Sequence, residues 1–200
     1  AGILIQIPHA FFARKCKPLG IELPAPGAYG TGLVFLPRDA AARAACRTQF
    51  EETVRAEGQA FLGWRDVPVS SEAVGRIARD MEPAVAQIFI GRGDGVSDER
   101  AFERKLFVIR KVIEHRIAHS DLAGRDAFYV PSLSCRTFTY KGMILPGCME
   151  TYYPDLSDPE VVSGLAMVHQ RYSTNTFPRW DLAQPFRFLC HNGEMNTLRG

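Results

Sequence analysis

The chain reads as an α+β domain built in layers, and three observations predict this. Short β-favouring apolar runs recur between turn residues along its whole length, two longer stretches show helical periodicity, and neither an internal repeat nor a low-complexity tract is present. Two hundred residues at 46% hydrophobic can bury a substantial core as one domain. The net charge of +2 gives no electrostatic footprint for nucleic acid or an anionic membrane. No apolar run approaches the roughly 20 residues of a membrane-spanning helix. The first residues do not read as a basic-then-apolar leader, so the expected location is the cytoplasm.

The elements follow in order. Gly2-Ile-Leu-Ile-Gln-Ile7 is a buried strand, entered without a methionine, so the N-terminus is expected to be cut. Pro8 opens a short helix through Lys15 that Pro18 stops. Gly20 to Gly32 is dense in glycine and proline and reads as a surface loop before a strand at Leu33–Leu36. Asp39 caps a helix over Ala40–Glu57 that carries Glu51 and Arg55 at i,i+4 and ends at Gly58. A strand spans Gln59–Val67. Ser70–Pro83 fits a short helix and an ordered loop equally well. Ala84–Ile90 is a strand closed by Gly91-Arg-Gly-Asp-Gly95, which reads as a turn because no P-loop lysine or Ser/Thr follows.

Ser97–Ala118 is the best helix, with Ser97 as its cap and Phe102, Leu106, Ile109, Ile113 and Ile117 on one stripe facing a sheet. His115 and His119 stand at metal-ligand spacing near its end. Arg116 occupies the place of the glutamate of H-E-x-x-H, however, and no metal is expected. Phe128–Val130 and Ser132–Tyr140 are short strands, and Pro146 starts a turn or short helix through Met149–Tyr153. Two further buried strands are expected at Val161–Val168 and Phe186–Cys190.

Those last two runs each end in a polar cluster: His169-Gln-Arg171 after the first, and His191-Asn-Gly193 after the second. A packed strand fixes position, and the turn after it exposes side chains and backbone donors. Arg171 presents a planar fork suited to a carboxylate. Asn192 beside Gly193 supplies a side-chain amide next to an unshielded backbone N–H, the parts of an oxyanion hole. Each feature alone also fits an ordinary ion pair or turn.

The five cysteines, Cys16, Cys46, Cys135, Cys148 and Cys190, form no C-x-x-C pair, which argues against a disulfide framework or a zinc ribbon. Cys190, His191 and Asn192 are the residue types of a papain-like triad. Consecutive side chains of an extended chain point to opposite faces, so these three cannot converge on one reacting atom.

The run His169-Gln-Arg-Tyr-Ser-Thr174, the insert Asn175-Thr-Phe-Pro-Arg-Trp180, His191-Asn-Gly193 and Glu194-Met-Asn-Thr-Leu-Arg-Gly200 together resemble the class II glutamine amidotransferase domain of glutamate synthases. Gly2–Phe12, Gly63–Pro68, Leu106–Arg116 and Phe128–Tyr153 share the resemblance, which therefore runs the whole chain. It implies an N-terminal nucleophile fold, an αββα sandwich of two antiparallel sheets flanked by helices, truncated here at both ends, so that residues 1–200 are a partial glutaminase domain. It also implies that Ser134–Thr137 and Tyr140–Gly142 lie near the glutamine pocket.

The implied chemistry begins with an N-terminal cysteine that should stand upstream of Ala1. Its thiolate attacks the side-chain amide of L-glutamine while its own α-amine, of ordinary pKa about 7.7 to 8.0, handles the proton. Arg171 would hold the α-carboxylate, Thr174 and Asn175 would place the substrate, and Asn192 and Gly193 would stabilise the oxyanion. The ammonia would pass to a synthase domain of the same chain, with FMN and an iron–sulfur cluster. There 2-oxoglutarate becomes a second glutamate; a small reductase subunit with FAD and NADPH is one implied source of electrons, and the donor stays open among NADPH, NADH and ferredoxin. The rival expectations are another class II amidotransferase and a non-enzymatic glutamine-binding module.

Overall fold

Strands β1 (Gly2–Gln6), β5 (Thr137–Lys141) and β6 (Ala166–His169) form one antiparallel sheet in the order β5-β1-β6. Strands β2 (Tyr29–Leu36), β3 (Ala60–Asp66) and β4 (Ala84–Gly91) form a second, in the order β2-β4-β3. These come from a computed structural model, which describes residues 1–172, 177–189 and 191. The helices are α1 (His9–Cys16), α2 (Ala40–Ala56), α3 (Arg76–Asp80), α4 (Glu99–Ala118) and α5 (Met149–Tyr152). The result is the expected α+β arrangement of two antiparallel sheets with helices.

Alternation along β2 and β4 divides the core. Val34, Leu36, Ala86, Ile88 and Ile90 face Cys46, Phe50 and Val54 of α2 and the stripe Phe102, Leu106, Ile109, Ile113 and Ile117 of α4. The opposite face, with Leu33, Phe35, Val85 and Phe89, packs on Phe11 and Phe12 of α1 and on Ile5, Phe138 and Tyr140 of the other sheet. The ion pair of Arg65 and Asp155 is buried there, at 2.6 Å, with the Tyr140 hydroxyl donating to the same carboxylate at 3.1 Å.

Helix α2 starts where its cap predicts, the Asp39 carboxylate accepting from the Ala42 N–H at 2.8 Å. Helix α4 starts one residue later than expected. Its cap is Asp98, which accepts from the Ala101 N–H at 2.8 Å, and Ser97 stands outside, donating to Asp98. The open Ser70–Pro83 stretch holds a 3-10 turn at Ser71–Ala73 followed by α3.

Several strand boundaries differ from expectation. The loop placed at Gly20–Gly32 gives way to β2 from Tyr29 onward, because its glycines serve close packing. A Cβ on Gly32 would lie 1.9 Å from the Ser132 carbonyl oxygen, and one on Gly30 would lie 2.4 Å from Leu106. The strands expected at Phe128–Val130 and Ser132–Tyr140 shrink to β5 and isolated bridges Phe35 to Tyr129 and Thr31 to Ser134. Pro131 brings no N–H to a ladder, and the Ser132 and Ser134 hydroxyls accept from the backbone N–H groups of Thr139 and Thr137.

The strand expected at Val161–Val168 is confined to β6, which is not buried, Val168 being 54% exposed. Ahead of it the Ser163 hydroxyl accepts from the N–H groups of Gln6 and Leu165, so side-chain bonds replace the ladder. The strand expected at Phe186–Cys190 is a tight turn over its described residues. Arg187 sits at φ 51°, and the Leu189 N–H donates back to the Phe186 carbonyl at 3.0 Å.

Candidate active site at the meeting of two polar clusters

Strand β6 ends at His169, paired with Gly2 of β1, and Arg171 follows two residues on. The His169 ring lies 5.1 Å from the ring of His191, centroid to centroid, and the His191 Nε2 is 3.1 Å from the Gln184 Oε1. The two clusters, more than twenty residues apart in sequence, therefore meet through their histidines. Both ring nitrogens of His169 are buried without a hydrogen-bond partner of good geometry. Desolvation, and then the neighbouring His191, hold its pKa below the ordinary value, so His169 resists taking up charge.

Arg171 is exposed and makes no ion pair with the described residues. A guanidinium left open beside this contact is available to an anionic ligand. Thr174, Asn175, Asn192 and Gly193 lie outside the described residues, as does Cys190.

The segment between the clusters is tied to the core by contacts no sequence pattern announces. The Trp180 Nε1 donates to the Ala78 carbonyl at 2.9 Å, and its ring packs on Gly142, where a Cβ would come within 2.3 Å of it. The Gln184 carbonyl and the Pro185 ring lie over Gly2, again where a Cβ would collide. Lys141 is fully buried and donates from Nζ to the Asp181 carbonyl at 2.9 Å and to the Tyr129 hydroxyl at 3.3 Å. The rings of Phe186 and Tyr129 lie 4.5 and 4.6 Å from the same nitrogen. Desolvation, with Arg110 as the next cause, pushes this amine down to about 7. The only signal for it in the sequence is a lysine at the end of an aromatic strand, which fixes no partner.

A cleft of about 1080 Å³ opens between α4, residues 125–129 and residues 179–186, lined by Arg110, Glu114, Tyr129, Arg179, Asp181 and Phe186 among others. It flanks the tied segment, and neither Arg171 nor His191 lines it. The three buried cysteines offer no nucleophile at neutral pH: burial pushes Cys16 and Cys46 up to about 11, and burial with the Glu103 carboxylate pushes Cys135 up to about 12. The Gly93 N–H is taken by the Gln59 side chain, so the glycine turn needs no phosphate to explain it. His115 and His119 stack at 4.1 Å, and among the described residues no group of three or more His, Cys, Asp or Glu could hold a metal. No helix of the described residues is long and apolar enough to cross a membrane.

The model of the family of glutamine amidotransferases class-II matches residues 1–200. The chain is 46% identical over 200 residues to the glutamate synthase [NADPH] large chain of Bacillus subtilis, covering all of this chain and 13% of that protein. It is 44% identical over 201 residues to the glutamate synthase [NADPH] large chain of Azospirillum brasilense, again covering all of this chain and 13% of that protein. The ferredoxin-dependent glutamate synthase 2 of Synechocystis is 40% identical over 200 residues, all of this chain and 12% of its own length. The chain thus spans about an eighth of the length of these relatives. A family match from end to end, over a fold of two antiparallel sheets with helices, shows that this protein belongs to the class II glutamine amidotransferases.

Proposed function

We propose that residues 1–200 are part of the glutaminase domain of a glutamate synthase and help to hydrolyse L-glutamine to glutamate and ammonia. The observation that supports this reading is the contact of His169 with His191, residues that stand two before Arg171 and one before Asn192 in the sequence. The identity of 46% to a glutamate synthase large chain supports that family over sugar-phosphate or purine-forming amidotransferases.

In this mechanism Arg171 grips the glutamine α-carboxylate with its two-pronged fork, while Thr174 and Asn175 orient the rest of the substrate. The nucleophile is an N-terminal cysteine thiolate from sequence ahead of Ala1, whose α-amine takes and returns the proton. The Asn192 side-chain amide and the Gly193 N–H receive the negative oxygen of the tetrahedral intermediate. Ammonia departs with that proton, leaving a thioester, and water then cleaves it to glutamate and free thiol.

The ammonia is passed within the longer chain to a synthase domain that aminates 2-oxoglutarate with FMN and an iron–sulfur cluster; a small reductase subunit with FAD and NADPH supplies the electrons. The described residues do not fit an iron–sulfur cluster. The buried cysteines lie apart, on α1, on α2 and before β5, and no cluster of metal-ligating side chains forms among the described residues.

The test is glutamate release by the full-length enzyme. Asn192→Ala should lower kcat by about 10² to 10³, the loss typical of one oxyanion donor. Arg171→Ala should act mainly on KM, raising it by roughly tenfold or more, as loss of a charge-assisted pair does. Wild-type activity retained in Asn192→Ala would sink the assignment.

A further inference from the structure

We propose that Lys141 is a positioning residue for this site, its buried amine anchoring residues 180–186 and, through Gln184, the ring of His191. The inference rests on the glutaminase reading for its catalytic consequence and on geometry alone for the anchor.

Lys141 ends β5, the edge strand that pairs with β1 along Gly2 to Gln6. Its side chain enters a space closed by the Tyr129 and Phe186 rings, and its hydrogen bonds reach one phenol oxygen and one main-chain carbonyl, that of Asp181. No carboxylate makes an ion pair with it among the described residues. The charged groups that face it are Arg110 and Glu114 from α4, Asp181 from the anchored segment and the Ala1 amino group beside β1. Burying an amine without a carboxylate partner is unfavourable, and an apolar side chain would fill the same volume without that cost. What lysine adds is a donor at the end of a long stem, which reaches a backbone carbonyl on a segment with no sheet ladder of its own.

From that carbonyl a continuous line of contacts leads to the site. Asp181 and Phe186, both held on Lys141, bracket Gln184. Gln184 is itself buried, and its side chain meets His191, whose ring meets His169 at the end of β6. Arg171 lies two residues beyond His169, and Asn192 directly follows His191. Lys141 therefore sets where His191 sits against His169, and it acts on the glutaminase site through that contact without touching substrate. Offsets of about 1 Å in such a constellation cost on the order of 10²-fold in rate.

The experiment uses the full-length enzyme as wild type, Lys141→Met and Phe186→Leu. Glutaminase kcat and KM are measured, and amide hydrogen exchange is followed separately over residues 181–189 and over β4. Lys141→Met should lower kcat by roughly 10- to 100-fold with KM little changed, since Arg171 still grips the substrate. Phe186→Leu should do the same more weakly. Both should speed exchange over 181–189 while β4 keeps its protection. Wild-type kcat in Lys141→Met, unchanged exchange over 181–189, or equal loss of protection in β4 would each overturn the proposal; the last is what a merely structural lysine gives. If Lys141→Met does not fold, Phe186→Leu decides by the same readings. A wild type that releases no glutamate defeats the glutaminase reading and the catalytic half of this one, while exchange over 181–189 still judges the anchor.

Discussion

Lys141 shows how a single buried group writes itself into the pH dependence of the fold. Its amine, ordinarily at 10.5, is pushed down to about 7 by desolvation, with Arg110 adding to the effect. Below about 7 it is protonated in both folded and unfolded chains and contributes no slope. Between about 7 and 10.5 the unfolded chain binds a proton that the folded chain does not, so stability rises with pH across that window. In urea unfolding of the 200-residue chain, wild type should therefore gain on Lys141→Met as pH is raised from 7 to 10, and the gap should stay flat from 6 to 7. A gap that shrinks on raising the pH would show that the amine is not desolvated. Neither this shift nor the contact of His169 with His191 was legible in the residues themselves. A lysine in a strand announces its face, and what lies across that face is set by chain forty residues away.

At the scale of elements, local rules succeeded where their partners are local. The stripe of α4 and the Asp39 cap of α2 depend on residues three and four apart, and both appear as the sequence predicts. The start of α4 is a finer case, since Ser97 and Asp98 are both good caps and only the backbone chooses. Asp98 adopts the extended conformation with its carboxylate on the Ala101 N–H. Thermal unfolding should accordingly show Asp98→Ala lowering Tm distinctly and Ser97→Ala hardly at all. The reverse order would restore Ser97 as the cap. Strands fared worse because their partners are remote. Val161–Val168 and Phe186–Cys190 both look like buried β-sequence, yet the first is half taken by Ser163 and Gln6 side-chain bonds and the second turns at Arg187.

For the molecule as a whole, the decisive contact is where the chain after α4 crosses the edge of β2. Thr31 and Ser134 exchange backbone hydrogen bonds at 2.9 and 3.1 Å, and the Ser132 carbonyl lies where a side chain on Gly32 would be. Because backbone meets backbone there, nothing can rotate away, and Gly32→Ala should destabilise by at least about 3 kcal/mol, the upper end of core overpacking. A loss under about 1 kcal/mol in urea unfolding would mean that the two sheets do not meet as described. By itself the sequence determined the α+β class, the two long helices and the motifs that mark a class II glutamine amidotransferase, since these rest on local periodicity and on residue identity. Tertiary structure alone decided that the His169 and His191 clusters meet, that a buried lysine ties down the segment between them, and that Gly32 sits under another strand's carbonyl. Each of those depends on which distant stretch of backbone completes a hydrogen bond or fills a space, and such long-range pairings leave no periodic trace in the chain.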